Sequence, residues 1–219
     1  HPVLEPQTDG DSLLAVWERV DTELSESGTP DDVFENTEIA LATASDPATW
    51  TDPMLLSEEI IGDSVLTDQP AVAASGDQWL VAWQRNEANN PEQVNRTHVD
   101  YALLSPSDSP SDSPVDVDET GTIENATNPA VASEGDNSFA LAYFAPTEDH
   151  RTGNITRSVV DAAGDVTTAE QYEVEGFGDV TVAEDRLVWS ERVGDDEHIR
   201  DTGGEAEPDT LQLDGGISN

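Results

Sequence analysis

One phrase constrains this chain more than any other: Gln69 to Arg85, reading QPAVAASGDQWLVAWQR. A Pro-led apolar run meets a tight Ser75-Gly76-Asp77 turn, and an aromatic-rich apolar run follows and ends in a charge. Two short apolar runs joined by a Gly-containing turn read as a β-hairpin, here Ala71–Ala74 with Trp79–Trp83. Relatives of the phrase start at Pro2, at Asn128 and, in compressed form, at Asp179. The aromatic that marks each second strand is Trp17, Trp83, Tyr143 or Trp189, at intervals of 66, 60 and 46 residues.

Weaker apolar segments follow each hairpin in pairs. They are Glu38–Ala44 with Met54–Leu56, His98–Ser105 with Val115–Asp118, Thr156–Asp161 with Tyr172–Val174, and Glu197–Arg200 with Thr210–Leu213. The chain therefore divides into units of about four strands, near 1–66, 67–125, 126–177 and 178–219. A four-stranded sheet alone leaves one face in water, whereas sheets stacked around an axis bury both faces. Four-stranded propeller blades repeat every ~40–50 residues, and longer loops account for the excess here. No apolar 3.6 period persists over three turns, so no helix is expected. The expected fold is all-β, a β-propeller of about four blade-like units of antiparallel strands, either a small ring closed by packing or an arc of a larger ring. The segments 21–36 and SPSDSPSDSP at 105–114 read as long polar loops.

Charge sets the habitat and excludes partners. The 219 residues carry 48 acidic and 8 basic side chains, a formal net charge of -40, and all the basic ones are arginines. Such a surface repels itself in dilute buffer, whereas at molar salt the Debye length falls to ~3 Å. The clustered apolar runs and five tryptophans argue for a folded, salt-adapted protein rather than a disordered one. Without a basic patch, nucleic acid is excluded as a direct partner, and an anionic membrane is disfavoured. No segment approaches the roughly 20 apolar residues of a membrane span. There is no cysteine, hence no disulfide, thiolate metal site or Cys nucleophile. His1 leads straight into an apolar run, which reads as a processed chain or an excised piece of a longer one.

Ala40 to Ser57, ALATASDPATWTDPMLLS, resembles the Asp-box of sialidase-like repeats, a Ser-x-Asp-x-Gly-x-Thr-Trp turn between the third and fourth strands of a blade. Ser45, Asp46, Thr49 and Trp50 stand for its Ser, Asp, Thr and Trp; one residue is missing after Ser45, and Pro47-Ala48 replaces the Gly. The Pro-Ala-Val-Ala…Gly-Asp…Trp phrase is similar to repeats of secreted and cell-surface propellers, including those of haloarchaea. The resemblance implies a structural role: Asp46 caps its turn and Trp50 packs between sheets. Trp17, Trp83, Tyr143 and Trp189 are expected to pack between sheets as well.

Sialidases grip a carboxylate with three arginines, because a guanidinium meets a carboxylate in bidentate fashion. Arg19, Arg85 and Arg192 close the second strands of three units and are the candidate ligand-binding residues. The Arg-Ile-Pro motif that opens sialidase catalytic domains is absent. Asp116, Asp118 and Glu119 form a carboxylate-dense stretch of the kind calcium needs; no other cofactor is indicated. Asn95, Asn125 and Asn154 head Asn-x-Ser/Thr sequons and are glycosylation candidates for an exported chain. The expected function is a non-catalytic binding or scaffolding module, extracellular or on the cell surface. Its partner would be a protein or a glycan there, other segments of a longer chain, or other subunits. Two alternatives are a glycan-active hydrolase of sialidase-like fold and a structural subunit of a surface filament or envelope layer.

Overall fold

A computed structural model describes residues 2–7, 12–20, 37–46, 48–57, 66–86, 97–107, 113–135, 137–147, 152–183, 185–194, 196–203 and 209–211. The expected loop at 21–36 lies outside them, as do positions 108–112 of the one expected at 105–114, whose first two residues end a strand instead. The first sheet contains β1 (Val3–Pro6), β2 (Leu13–Val20), β3 (Thr37–Asp46), β4 (Thr49–Trp50) and β5 (Met54–Leu55). The second contains β6 (Leu66–Ser75), β7 (Gln78–Asn86), β8 (Thr97–Pro106) and β9 (Val115–Glu124). The third contains β10 (Thr127–Ser133), β11 (Phe139–Pro146), β12 (Thr152–Val160) and β13 (Val166–Glu175). The fourth contains β14 (Phe177–Ala183), β15 (Arg186–Val193), β16 (Asp196–Asp201) and β17 (Asp209–Leu211).

Each sheet is an antiparallel meander in chain order. In the first, the fourth place is shared by the fragments β4 and β5, both paired with β3. A single parallel bridge, Thr37 to Leu66, links the first sheet to the second. The strands β1, β6, β10 and β14 neighbour one another in succession and line the inside of the curve.

Alternation along the second strands creates the cores. Trp79, Val81 and Trp83 of β7 pack against Leu14 and Val16 of β2, while Leu80 and Ala82 pack against Phe139, Leu141 and Tyr143 of β11. The other face of β11, Ala140, Ala142 and Phe144, meets Leu187 and Trp189 of β15. Tyr172 and Trp189 stack across this last interface with centroids 5.3 Å apart, the offset geometry that aromatic pairs favour. Trp83, Tyr143 and Trp189 thus face the preceding sheet in three successive cores.

Four sheets enclose three cores, and among the described residues no strand of the first sheet packs on a strand of the fourth as successive sheets pack. The described residues therefore form an arc rather than a closed four-bladed ring. Trp17 follows from this geometry. It stands where its three relatives stand, but among the described residues no sheet packs on this face of the first, so it is half-buried beside the exposed Leu4. That corrects the expected packing between sheets. Trp50 needs the same correction: it is 40% exposed, because the two-residue β4 holds it at the sheet's rim against Ala44.

The hairpin turns pack against one another at one end of the arc. Gln7 Nε2 donates to the Asp77 carbonyl at 2.9 Å, and Ser75 Oγ donates to the Gly135 carbonyl. Gly76 has φ +60° and lies against the Asn137 side chain, so a side chain there would be strained and would clash.

Candidate functional site

The opposite end of the arc holds buried charge at Asp100 and Glu191. The inner strands begin there with bulges, between Asp68 and Ala71, Thr127 and Ala130, and Phe177 and Val180. The bulges have a local cause. Gln69-Pro70 and Asn128-Pro129 place a proline where a regular ladder would need an N–H, and the residue before it swings into the left-handed region, φ 52° at Gln69 and 54° at Asn128. Non-glycine residues held there mark sites that the surrounding structure over-determines.

The residues after Trp17 and Trp83 brace the next sheet's bulge. Glu18, after Trp17, accepts from the Gln69 amide at 2.9 Å. Gln84, after Trp83, accepts from the Asn128 amide at 3.2 Å and from the Thr127 hydroxyl. Asp68 lies between these braces. Burial, with Glu18 adding repulsion, raises its carboxyl to about 6 from an ordinary 3.8, although Asn86 Nδ2 donates to it at 3.4 Å. Its Oδ1 is buried without a hydrogen-bond partner. A carboxyl held neutral near pH 6 beside a second carboxylate is chemically able to donate a proton.

Arg85 does not reach into this space as an open clamp. Its Nε donates to Asp100 Oδ2 at 2.6 Å and its Nη2 reaches Asp100 Oδ1 at 3.4 Å. Thr122 donates to Asp100 Oδ1 at 2.6 Å, so a 2% exposed carboxylate is held from both sides. Arg19 and Arg192 are exposed and stand opposite Glu38 and Glu197 in the strand registers. The three arginines sit on three different sheets and share no partner. His98 Nδ1 lies 2.7 Å from Glu124 Oε2 nearby.

The carboxylates proposed for calcium lie on a strand instead of a loop. Asp116, Asp118 and Glu119 belong to β9, and Asp118 accepts from Gln78 Nε2 and Ser105 Oγ, both at 3.0 Å. Among the described residues no group of three or more metal-capable side chains gathers. Asn125 is exposed with φ 55°, and its Nδ2 donates to the Pro146 carbonyl at 2.9 Å. Asn154 is half-buried within β12, while Asn95 lies outside the described residues. No helix among the described residues is long and apolar enough to cross a membrane.

At the hairpin-turn end, Asp46 Oδ1 accepts from the Ala48 amide at 2.9 Å, an aspartate side chain bonding the backbone two residues on. Thr51 Oγ1 accepts from the Thr43 amide at 3.0 Å and fixes the following segment. Beside this turn is a cavity of about 240 Å³, lined by Trp50 and Trp79 with several Ser, Thr and Pro residues. Sequence reasoning missed it, because it assigned Trp50 to a core.

No protein-family model and no curated protein matches the chain. Solved structures do. The Trypanosoma rangeli sialidase in complex with sialic acid superposes with a TM-score of 0.58 at 12% identity, covering 91% of this chain and 35% of that one. The same sialidase with the inhibitor DANA gives 0.56 at 14% identity, with the same coverage. A family 117 glycoside hydrolase from the marine bacterium Zobellia galactanivorans gives 0.57 at 12% identity, covering 97% of this chain and 67% of that one. The chain spans about a third of the sialidase's length. At these identities the likeness is one of fold, and the fold is that of a sialidase-like β-propeller.

Proposed function

We propose that the protein is a non-catalytic glycan-binding module, working outside the cell or at the surface of a salt-loving organism. The observation that carries this reading is the Arg85–Asp100–Thr122 cluster. The candidate clamp arginine most deeply placed at the bulge end is occupied by an internal carboxylate, and the other two stand on separate sheets. A side chain tied this way braces a sheet more readily than it grips a ligand. The propeller fold, shared with proteins described as a sialidase and a glycoside hydrolase, supports a carbohydrate as the ligand class. The net charge of -40 supports the saline habitat.

The test is a glycan-binding screen run beside hydrolysis assays in molar salt. Saturable binding without release of reducing sugar is the expected result. A specific observation favours a second reading, that of a hydrolase: Asp68, raised to about 6 next to Glu18, has the character of a general acid paired with a carboxylate. Turnover that disappears in Asp68→Asn would establish that reading and overturn the first.

A further inference from the structure

We infer that the cavity beside the Asp46 turn is a subsite for one neutral sugar ring. This deepens the glycan reading with a ligand class and a location, at the end of the arc away from Asp68 and Arg85. The first argument is charge. Acidic residues number 48 of 219, yet the described residues lining this cavity include no ionisable side chain. Its polar groups are hydroxyls, from Ser12, Thr43, Ser45, Thr49, Thr51 and Ser107. In a protein of this charge such a lining favours a neutral polyol and disfavours an anionic sugar, which the surrounding field repels.

The second argument is the pair of tryptophans. Trp50 is 40% exposed at the rim, so its indole offers a face to a ligand. Trp79 is fully buried, lines the cavity, and its Nε1–H has no hydrogen-bond partner. The indole N–H groups of Trp83 and Trp189 are likewise unpartnered; Trp79 shares the first core with Trp83, and of the three it is Trp79 that lines the cavity. A buried N–H without an acceptor is costly, and a ligand oxygen seated in the cavity would satisfy it. The third argument is size. At about 240 Å³ the cavity lies below the roughly 300–1,000 Å³ of sites for drug-sized ligands, which suits a single pyranose ring. Apolar aromatic faces with a few convergent hydroxyls suit the mixed apolar and hydroxylated surface of such a ring.

The experiment titrates the full chain in molar salt with methyl glycosides of glucose, galactose, mannose and N-acetylglucosamine, and with N-acetylneuraminic acid and glucuronic acid. Ligand-observed NMR and tryptophan emission are the readouts. At least one neutral glycoside should saturate with a change in emission, and the acids should bind more weakly. Trp50→Ala, at an exposed site the fold tolerates, should weaken binding about tenfold or more. Trp79→Phe, which keeps an aromatic ring and removes the N–H with the rest of the pyrrole ring, should weaken it severalfold. Binding that survives Trp50→Ala unaltered would overturn the cavity assignment while leaving the glycan reading intact. Failure of every neutral glycoside to saturate, or acids binding as tightly as neutral sugars, would also overturn the inference.

Discussion

The first bulge region and the cavity beside the Asp46 turn lie at opposite ends of the arc and differ in chemistry. At the bulge end, left-handed Gln69 and Asn128, the raised Asp68 carboxyl and the Arg85–Asp100–Thr122 cluster put charge and strain together. At the hairpin-turn end, the Asp46 turn and the cavity of Trp50 and Trp79 carry hydroxyls and indoles, with no ionisable side chain in the described lining. The contrast separates two jobs. Paired charges brace the starts of inner strands where prolines break the ladder, and a neutral recess remains where the strands run regularly into turns.

The largest effect that sharpens this contrast is at Asp100. Replacing it by Ala removes the buried carboxylate that accepts from both Arg85 and Thr122, and should cost about 3–5 kcal/mol in urea unfolding at molar salt. An equivalent polar-to-Ala change at the neutral end, Thr49→Ala, should stay within about 0.5 kcal/mol. Comparable costs at both ends would break the contrast. Trp50→Ala should reverse the pattern, with stability changed by less than about 0.5 kcal/mol and neutral-sugar affinity reduced about tenfold.

Asp68 gives a smaller expected effect than Asp100, with a definite sign. Its carboxyl is raised from 3.8 to about 6 in the fold. The cost of keeping it there is therefore absent below the unfolded value, grows as pH rises from 3.8 to about 6, and is complete above that. Asp68→Asn removes that cost. The variant should be more stable than wild type by roughly 1 kcal/mol at pH 7.5, since solvent and salt screen a partly exposed carboxyl, and the gap should close below pH 4. A gap that stays constant across pH would show that Asp68 does not titrate as described.

Much of the architecture was legible because the second strands are buried on both faces. Trp79–Trp83 and Phe139–Phe144 read as continuous apolar runs, and those runs are the centres of the sheets. Outer strands were legible only in part. Val166–Glu175 is largely exposed, so its sequence VTTAEQYEVE shows an apolar signal only near Tyr172 and Val174. β6 begins at Leu66 instead of Ala71, since Pro70 reads as a strand breaker unless the bulge at Gln69 is foreseen. β9 runs on past Asp118 through Gly121, a position against which the Tyr101 ring packs closely.

The candidate sites were less legible, for a different reason. Arg85 looked like a ligand clamp because spacing marks a repeated position but not a partner, and Asp100 is recruited from the neighbouring strand. Asp68 gave no signal among 48 acids; its character comes from burial beside Glu18. The cavity was hidden because the length of β4, which decides whether Trp50 enters a core or stays at the rim, depends on pairing with β3.

The most direct test of the account is one titration in molar salt, in which a saturating neutral methyl glycoside is followed by tryptophan emission in wild type, Trp50→Ala and Asp68→Asn, with reducing sugar assayed in parallel on an oligosaccharide. The account predicts binding in wild type and Asp68→Asn, a loss in Trp50→Ala, and no hydrolysis in any of them. Hydrolysis that depends on Asp68, with binding indifferent to Trp50, would contradict it.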